Sequence, residues 1–171
     1  GGRGVYRMDM DSLVPKPYIT ADYASHNGMN GDNINDIYVD GGDRIWLANY
    51  PAGVTIRNNR YQSYEWFRHS PGNSRSLVND QVHDVIEDSE GDLWFATSNG
   101  ISLLQPAVGR WRSFLSRSDG IQDGGNHIFL TLCEVSPGVI CAGGYASGLY
   151  RIEKKTGRVE YFPPSFAAEG R

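Results

Sequence analysis

Three side chains in this sequence could exchange protons with a substrate at one centre: His83, Asp84 and His127. Imidazole and carboxylate groups are common general acids and bases, so a lyase-type reaction would need little more than their convergence. The patterns that accompany such chemistry are missing. Gly144-Tyr145-Ala146-Ser147-Gly148 carries its serine one place too late for a Gly-x-Ser-x-Gly elbow, and no His-Glu-x-x-His pair or phosphate-binding glycine loop occurs. Gly1-Gly2-Arg3-Gly4 reads as the tail of a turn. His26, His69, His83 and His127 show no metal-ligand spacing. Asp40-Gly41-Gly42-Asp43 and Asp88-Ser89-Glu90-Gly91-Asp92 lack the spacing and closing glutamate of an EF-hand, so both read as turns. No catalytic residue, metal or cofactor is expected.

A second set of residues suits binding. Asn30-Gly31-Asp32-Asn33, Val78-Asn79-Asp80-Gln81 and Gly124-Gly125-Asn126-His127 are polar connectors, as are Asn49-Tyr50-Pro51-Ala52, Ser98-Asn99 and Gly144-Tyr145-Ala146-Ser147. Amides and carboxylates match the hydroxyls of a sugar-like ligand, and tyrosine rings match its C–H face. The candidates for an oligosaccharide-type ligand are Asn33, Tyr50, Asp80, His83, Asn99, Asn126, His127 and Tyr145. The plainer reading is that Asn, Asp and Gly make turns.

The elements that must position these loops are repeats. Val82 to Glu87, Leu93 to Thr97 and Ile101 to Leu104 read as short strands, separated by Asp88–Asp92 and Ser98-Asn99-Gly100. The same text stands upstream, with Trp46 nine residues after Ile37 as Trp94 is nine after Val85. A diverged copy follows at Ile128 to Val135, Val139 to Gly143 and Gly148 to Ile152. The chain opens on the third strand of such a unit, Gly4 to Met8, and Leu13 to Ile19 with its two prolines suits an outer edge strand. Gly4, Gly53, Gly100 and Gly148 are thus 49, 47 and 48 residues apart. Candidate fourth strands lie at Tyr61 to Phe67, Trp111 to Leu115 and Arg158 to Phe162. A repeat of about 40 to 50 residues made of strands is the signature of propeller blades.

The expectation is therefore an all-β fold: a partial β-propeller of three and a half four-stranded antiparallel blades, without significant helix. Residues 1–29 form the half-blade and connector, and residues 30–75, 76–122 and 123–171 form the blades. Trp46 and Trp94, recurring at matched positions, are expected to fill space between blades, with Gly53, Gly100 and Gly148 as anchors. Because propellers commonly close with about four to eight blades, the open flanks call for the remaining blades of a longer parent chain or for homodimeric association. Cys133 and Cys141 flank the turn Ser136-Pro137-Gly138 and fall opposite each other if Val135 pairs with Val139; a disulfide and two small buried side chains are both open.

Hydrophobic residues are 39% and aromatics 12% of the chain, with 21 glycines, which suits turn-rich β structure. The formal charge of -4 offers nothing to nucleic acid or an anionic membrane. No apolar run reaches the roughly 20 residues of a spanning helix, and no signal peptide is recognisable.

Val85-Ile86-Glu87-Asp88-Ser89-Glu90-Gly91-Asp92-Leu93-Trp94-Phe95-Ala96-Thr97-Ser98-Asn99-Gly100-Ile101 resembles the two-component regulator propeller repeat, Asp-x-x-Gly-x-Ile/Leu-Trp-x-x-Thr-x-x-Gly-Leu/Ile, and Ser76-Leu77-Val78-Asn79-Asp80-Gln81-Val82 resembles the run preceding it. The first copy departs at Asn49, and the last has Ile140 and Gly143 in the approximate places of the Trp and Thr. The resemblance implies a periplasmic sensor region of a Bacteroidetes hybrid two-component histidine kinase, responsive to glycan breakdown products, with kinase, membrane helix and DNA-binding regulator elsewhere in the parent. Three readings follow: a non-catalytic sensor piece, a propeller enzyme such as a lyase, and a purely structural docking propeller.

Overall fold

A computed structural model describes residues 4–24, 27–117 and 126–164. Gly1 to Arg3, His26, Gly124 and Gly125 lie outside the described residues. The model is all-β, and no α-helix occurs among the described residues. β1 (Val5–Met8) pairs with β2 (Pro15–Ile19) in a two-stranded sheet. Three four-stranded antiparallel sheets follow in chain order. The first contains β3 (Ile34–Val39), β4 (Arg44–Asn49), β5 (Gly53–Asn58) and β6 (Ser63–Phe67). The second contains β7 (Val82–Glu87), β8 (Leu93–Thr97), β9 (Gly100–Gln105) and β10 (Arg110–Phe114). The third contains β11 (Phe129–Ser136), β12 (Val139–Gly144), β13 (Gly148–Glu153) and β14 (Val159–Phe162). Pro15 and Pro17 sit in β2, where a missing N–H costs least.

The glycine period has a steric cause. Gly4, Gly53, Gly100 and Gly148 all take positive φ, between 83° and 101°. A Cβ on each would meet the carbonyl oxygen that ends its own fourth strand: Ile19, Phe67, Phe114 and Phe162 respectively. Only glycine satisfies both demands. Three of their amides also join neighbouring units, with Gly4 donating to the Asp32 carbonyl at 3.1 Å, Gly53 to Asp80 at 2.8 Å and Gly100 to His127 at 2.7 Å.

The first strands of successive sheets lie side by side. Each holds an extra residue against its partner near its start, Asn35, His83 or Leu130, a bulge that re-aims the side chain, and β11 holds a second, Val135. The next residue in β3 and β7 is aspartate: Asp36 accepts the Val85 amide at 3.0 Å and Asp84 accepts the Leu132 amide at 2.6 Å. Apolar filling completes the junctions. Trp46 packs among Val82, Val85 and Phe95 of the following sheet, and Trp94 is buried with Phe129, Leu132 and Tyr150 of the one after.

The recurrent Asp-to-Trp spacing is a hydrogen-bonded unit. Asp40 accepts the Trp46 indole N–H at 2.8 Å and Asp88 accepts that of Trp94 at 2.9 Å. The same carboxylates accept backbone amides of their own turns, Gly42 and Arg44 in one case and Glu90 and Asp92 in the other. These bonds outweigh the upward pull of burial and hold both carboxyls below the usual range. Their counter-cations differ in origin. Asp40 is paired by Arg44 of its own hairpin at 2.6 Å, whereas Asp88 is paired by Lys154, which arrives from the following sheet at 2.6 Å and also reaches Glu90 and Asp92.

Two sequence expectations are corrected. β12 pairs with β13 so that Cys141 lies opposite Arg151 and Gly144 opposite Gly148, as Trp46 lies opposite Ile56 and Asn49 opposite Gly53. Cys141 and Gly144, not Ile140 and Gly143, therefore occupy the Trp and Thr places, and a one-residue difference reverses the face. Cys133 does fall opposite Cys141, although Ser136 and not Val135 pairs with Val139, Val135 being the extra residue of a bulge. Both are free thiols, but neither is buried, Cys133 being exposed and Cys141 half-buried, because their shared face has no following sheet against it.

Candidate ligand-binding site

The polar connectors come together at one end of the sheets. Within each unit the loop before the first strand bonds the loop after the second: Tyr50 donates its amide to the Asn33 carbonyl at 2.9 Å, Ser98 to Gln81 at 3.0 Å and Tyr145 to Ile128 at 2.8 Å. The glycine bonds from Gly53 to Asp80 and from Gly100 to His127 then tie each end loop to the next unit.

At the centre of this end stands His83, placed by the β7 bulge. Its ring lies 5.7 Å from that of Tyr50. Asn35, the bulged residue of β3, donates its amide to the Val82 carbonyl at 2.9 Å and approaches His83 Nδ1 at 3.3 Å. With Nδ1 accepting, the imidazole proton sits on Nε2, which faces Ser98 Oγ at 2.9 Å. Burial pushes the His83 pKa down, so the ring is neutral at pH 7 and offers no cation. Tyr50 and His83 thus present two tilted, half-buried rings beside an amide and a hydroxyl, a surface suited to a polar ring ligand.

Next to it, burial pushes the Asp84 carboxyl up; the Leu132 amide opposes this and the nearby Asp36 adds to it. Asp84 is a junction residue repeating Asp36 forty-eight positions later, and its accepted amide is structural. The repeat equivalence of Asn35 with His83 and the place of Ser98 in a polar connector were legible in the sequence, but neither was chosen there as a ligand candidate.

Most remaining candidates are engaged in holding turns. The Asp80 carboxylate accepts the His69 amide and lies 3.8 Å from Arg68 Nε. Asn99 accepts the Arg117 amide at 3.3 Å, Asn126 donates to the Tyr145 carbonyl at 2.6 Å, and His127 Nδ1 lies 2.7 Å from the Leu115 carbonyl. The side chains of Asn33 and Tyr145 are exposed. Among the described residues no group of three or more His, Cys, Asp or Glu could hold a metal ion, and His83, Asp84 and His127 are not brought to one acid–base centre by any bond between them.

A model of the two-component regulator propeller family matches residues 76–99. Among solved structures, an extracellular domain from B. thetaiotaomicron provisionally assigned to a hybrid two component system is 22% identical with a TM-score of 0.77, over 94% of this chain and 22% of that one. PorZ, a surface component of the type-IX secretion system of Porphyromonas gingivalis, is 13% identical with a TM-score of 0.65, over 95% of this chain and 25% of that one. A catalytically inactive variant of virginiamycin B lyase from Staphylococcus aureus is 12% identical with a TM-score of 0.65, over 96% of this chain and 50% of that one. The chain therefore spans between about a fifth and a half of the lengths of these structures, and at such identities the likeness is one of fold. No curated protein matched the sequence. The Asp88-to-Trp94 hydrogen bond falls inside the matched segment, and residues 76–99 match the two-component regulator propeller repeat within a run of propeller blades.

Proposed function

We propose that this chain is part of the extracytoplasmic, periplasmic sensor region of a hybrid two-component signalling protein, and that it recognises or scaffolds recognition of a glycan-derived ligand without catalysing a reaction. The observation that carries the reading is the repeat at residues 76–99 in a fold shared with an extracellular domain provisionally assigned to such a system. Tyr50 and His83, with Asn35 and Ser98 behind them, are the groups assigned to the ligand. Such a ligand acts by favouring one arrangement of a dimeric sensor over another.

The test is calorimetric titration of the protein with a panel of plant, mucin and yeast oligosaccharides. Saturable binding by at least one family, weakened about tenfold or more by Tyr50→Ala or His83→Ala, is expected. Binding unaffected by both substitutions, or no binding by any member, overturns the assignment. A second reading, a propeller enzyme in which the oligosaccharide or a lactone is consumed, has a fold-level likeness to the lyase behind it, but no bond joins His83, Asp84 and His127 at one centre.

A further inference from the structure

The end that carries Tyr50 and His83 is not the only surface with ligand chemistry. Along β10, beside the connector of residues 70–76, lies a groove of about 470 Å³ lined by Ser74, Arg75, Val108, Gly109, Arg110 and Trp111. A smaller recess of about 290 Å³ shares Ser74 and Trp111 with it. No aspartate or glutamate lines either one, although the chain as a whole carries a formal charge of -4.

The polar groups of this groove are donors left without acceptors. Of the four tryptophans, Trp46 and Trp94 donate to aspartates and Trp66 to the Gly28 carbonyl at 3.0 Å. The Trp111 indole N–H has no acceptor among the described residues, although its ring is held firmly by Phe67 at 5.4 Å and Phe95 at 6.0 Å. Neither Arg75 nor Arg110 forms a side-chain hydrogen bond or ion pair with any described residue. Two other arginines are committed, Arg57 to Asn59 and Gln62 and Arg112 to the Lys154 carbonyl. Two uncommitted guanidiniums, a fixed aromatic ring and an unused N–H make a surface rich in donors and empty of anionic acceptors.

We propose that this groove binds an anionic saccharide unit, whose carboxylate or sulfate is held by Arg75 and Arg110 and whose ring lies against Trp111. Guanidinium matches both anions through paired N–H bonds. An aromatic face matches a pyranose as it matches other ring ligands; the choice of a saccharide rests on the glycan reading above. The site uses none of the residues assigned there, so the two can fail separately.

The experiment titrates the full chain with digalacturonic acid, an unsaturated heparin disaccharide, neutral digalactose and inorganic sulfate, using calorimetry. Binding of at least one anionic disaccharide is expected, at least tenfold tighter than digalactose and than free sulfate, and weakened about tenfold by Arg75→Gln and by Arg110→Gln. Both arginines are exposed, so the variants keep the fold. Arg60→Gln, at an exposed arginine outside both sites, should leave this binding unchanged. A carboxylate preference assigns a uronate and a sulfate preference a sulfated sugar; either supports the site. Equal binding of free sulfate, equal binding of digalactose, or indifference to both arginine substitutions overturns it. Loss of binding in Tyr50→Ala alone would transfer the anionic ligand to the axial end and likewise overturn it.

Discussion

Val85 in the middle blade and Ile37 in the one before it stand at the same place in their sheets, yet Val85 is 2% exposed and Ile37 48%. At the other flank, Ile101 and Phe114 are 0% and 6% exposed, while their counterparts Leu149 and Phe162 are 43% and 48%. Each pair has matching strand partners: Ile101 faces Ala96 in β8 as Leu149 faces Gly143 in β12, and Val85 faces Phe95 as Ile37 faces Leu47. The sheet alone therefore leaves these positions nearly half exposed. Burial comes from the adjoining blade, which covers Val85 with Trp46, Ala48 and Val54 and covers Ile101 with Phe129 and Tyr150. Stability in such a molecule is a sum over junctions between neighbours, as in other repeat proteins.

The sharpest break of this comparison is at the two aspartate turns. Lys154→Ala removes a cation supplied by the neighbouring blade and leaves the charges of Asp88 and Asp92 buried without a counter-cation. A loss of about 3–5 kcal/mol is expected in urea unfolding. Arg44→Ala, which removes a half-exposed partner from the same strand as Asp40's tryptophan, should cost about 1 kcal/mol or less. Equal losses would mean that junctions and single sheets contribute alike.

Next in size is the apolar pair. Ile101→Ala should cost about 2–5 kcal/mol, because it empties a packed junction, and Leu149→Ala under about 1 kcal/mol. Thermal or urea unfolding measures both.

The smallest effect is electrostatic and depends on pH. Burial, together with Asp36 nearby, raises the Asp84 pKa in the folded protein. A raised carboxyl favours folding below its unfolded pKa, and that contribution disappears as pH rises through the folded value. Asp84→Asn keeps an oxygen to accept the Leu132 amide and removes the charge. It should stabilise the protein by up to about 1 kcal/mol at pH 8 and by nothing at pH 4. Asp88, held below the usual range, has the opposite sign, and its contribution is lost as pH falls through its folded value.

Much of the fold was legible in the sequence because it depends on local demands that repeat. Glycine at positive φ against a carbonyl and tryptophan in the second strand recur at a fixed interval, so the strands and their grouping follow from spacing. The last blade was read one residue out of register at Cys141, since its tryptophan is gone and its three-residue loop, Tyr145 to Ser147, is one longer than Ser98-Asn99. Burial at the flanks cannot be read locally, because Ile37 and Val85 look alike until a neighbour is placed. The Lys154 cluster was hidden for the same reason: Lys154 and Asp88 are 66 residues apart and meet only across a junction. At the candidate site, side-chain types pointed to the end where the polar connectors meet, but spacing could not tell Tyr50 and His83, which face each other, from Asp80, Asn99, Asn126 and His127, which hold turns.

The central claim is recognition without turnover at the end where Tyr50 and His83 meet. The direct measurement is to incubate the protein with each oligosaccharide that it binds, follow the tyrosine and histidine ring signals by NMR, and chromatograph the oligosaccharide afterwards. Saturable shifts at His83 and Tyr50 with the oligosaccharide recovered intact are the predicted result. Accumulation of a cleaved product that disappears in His83→Ala would contradict it and make the molecule an enzyme.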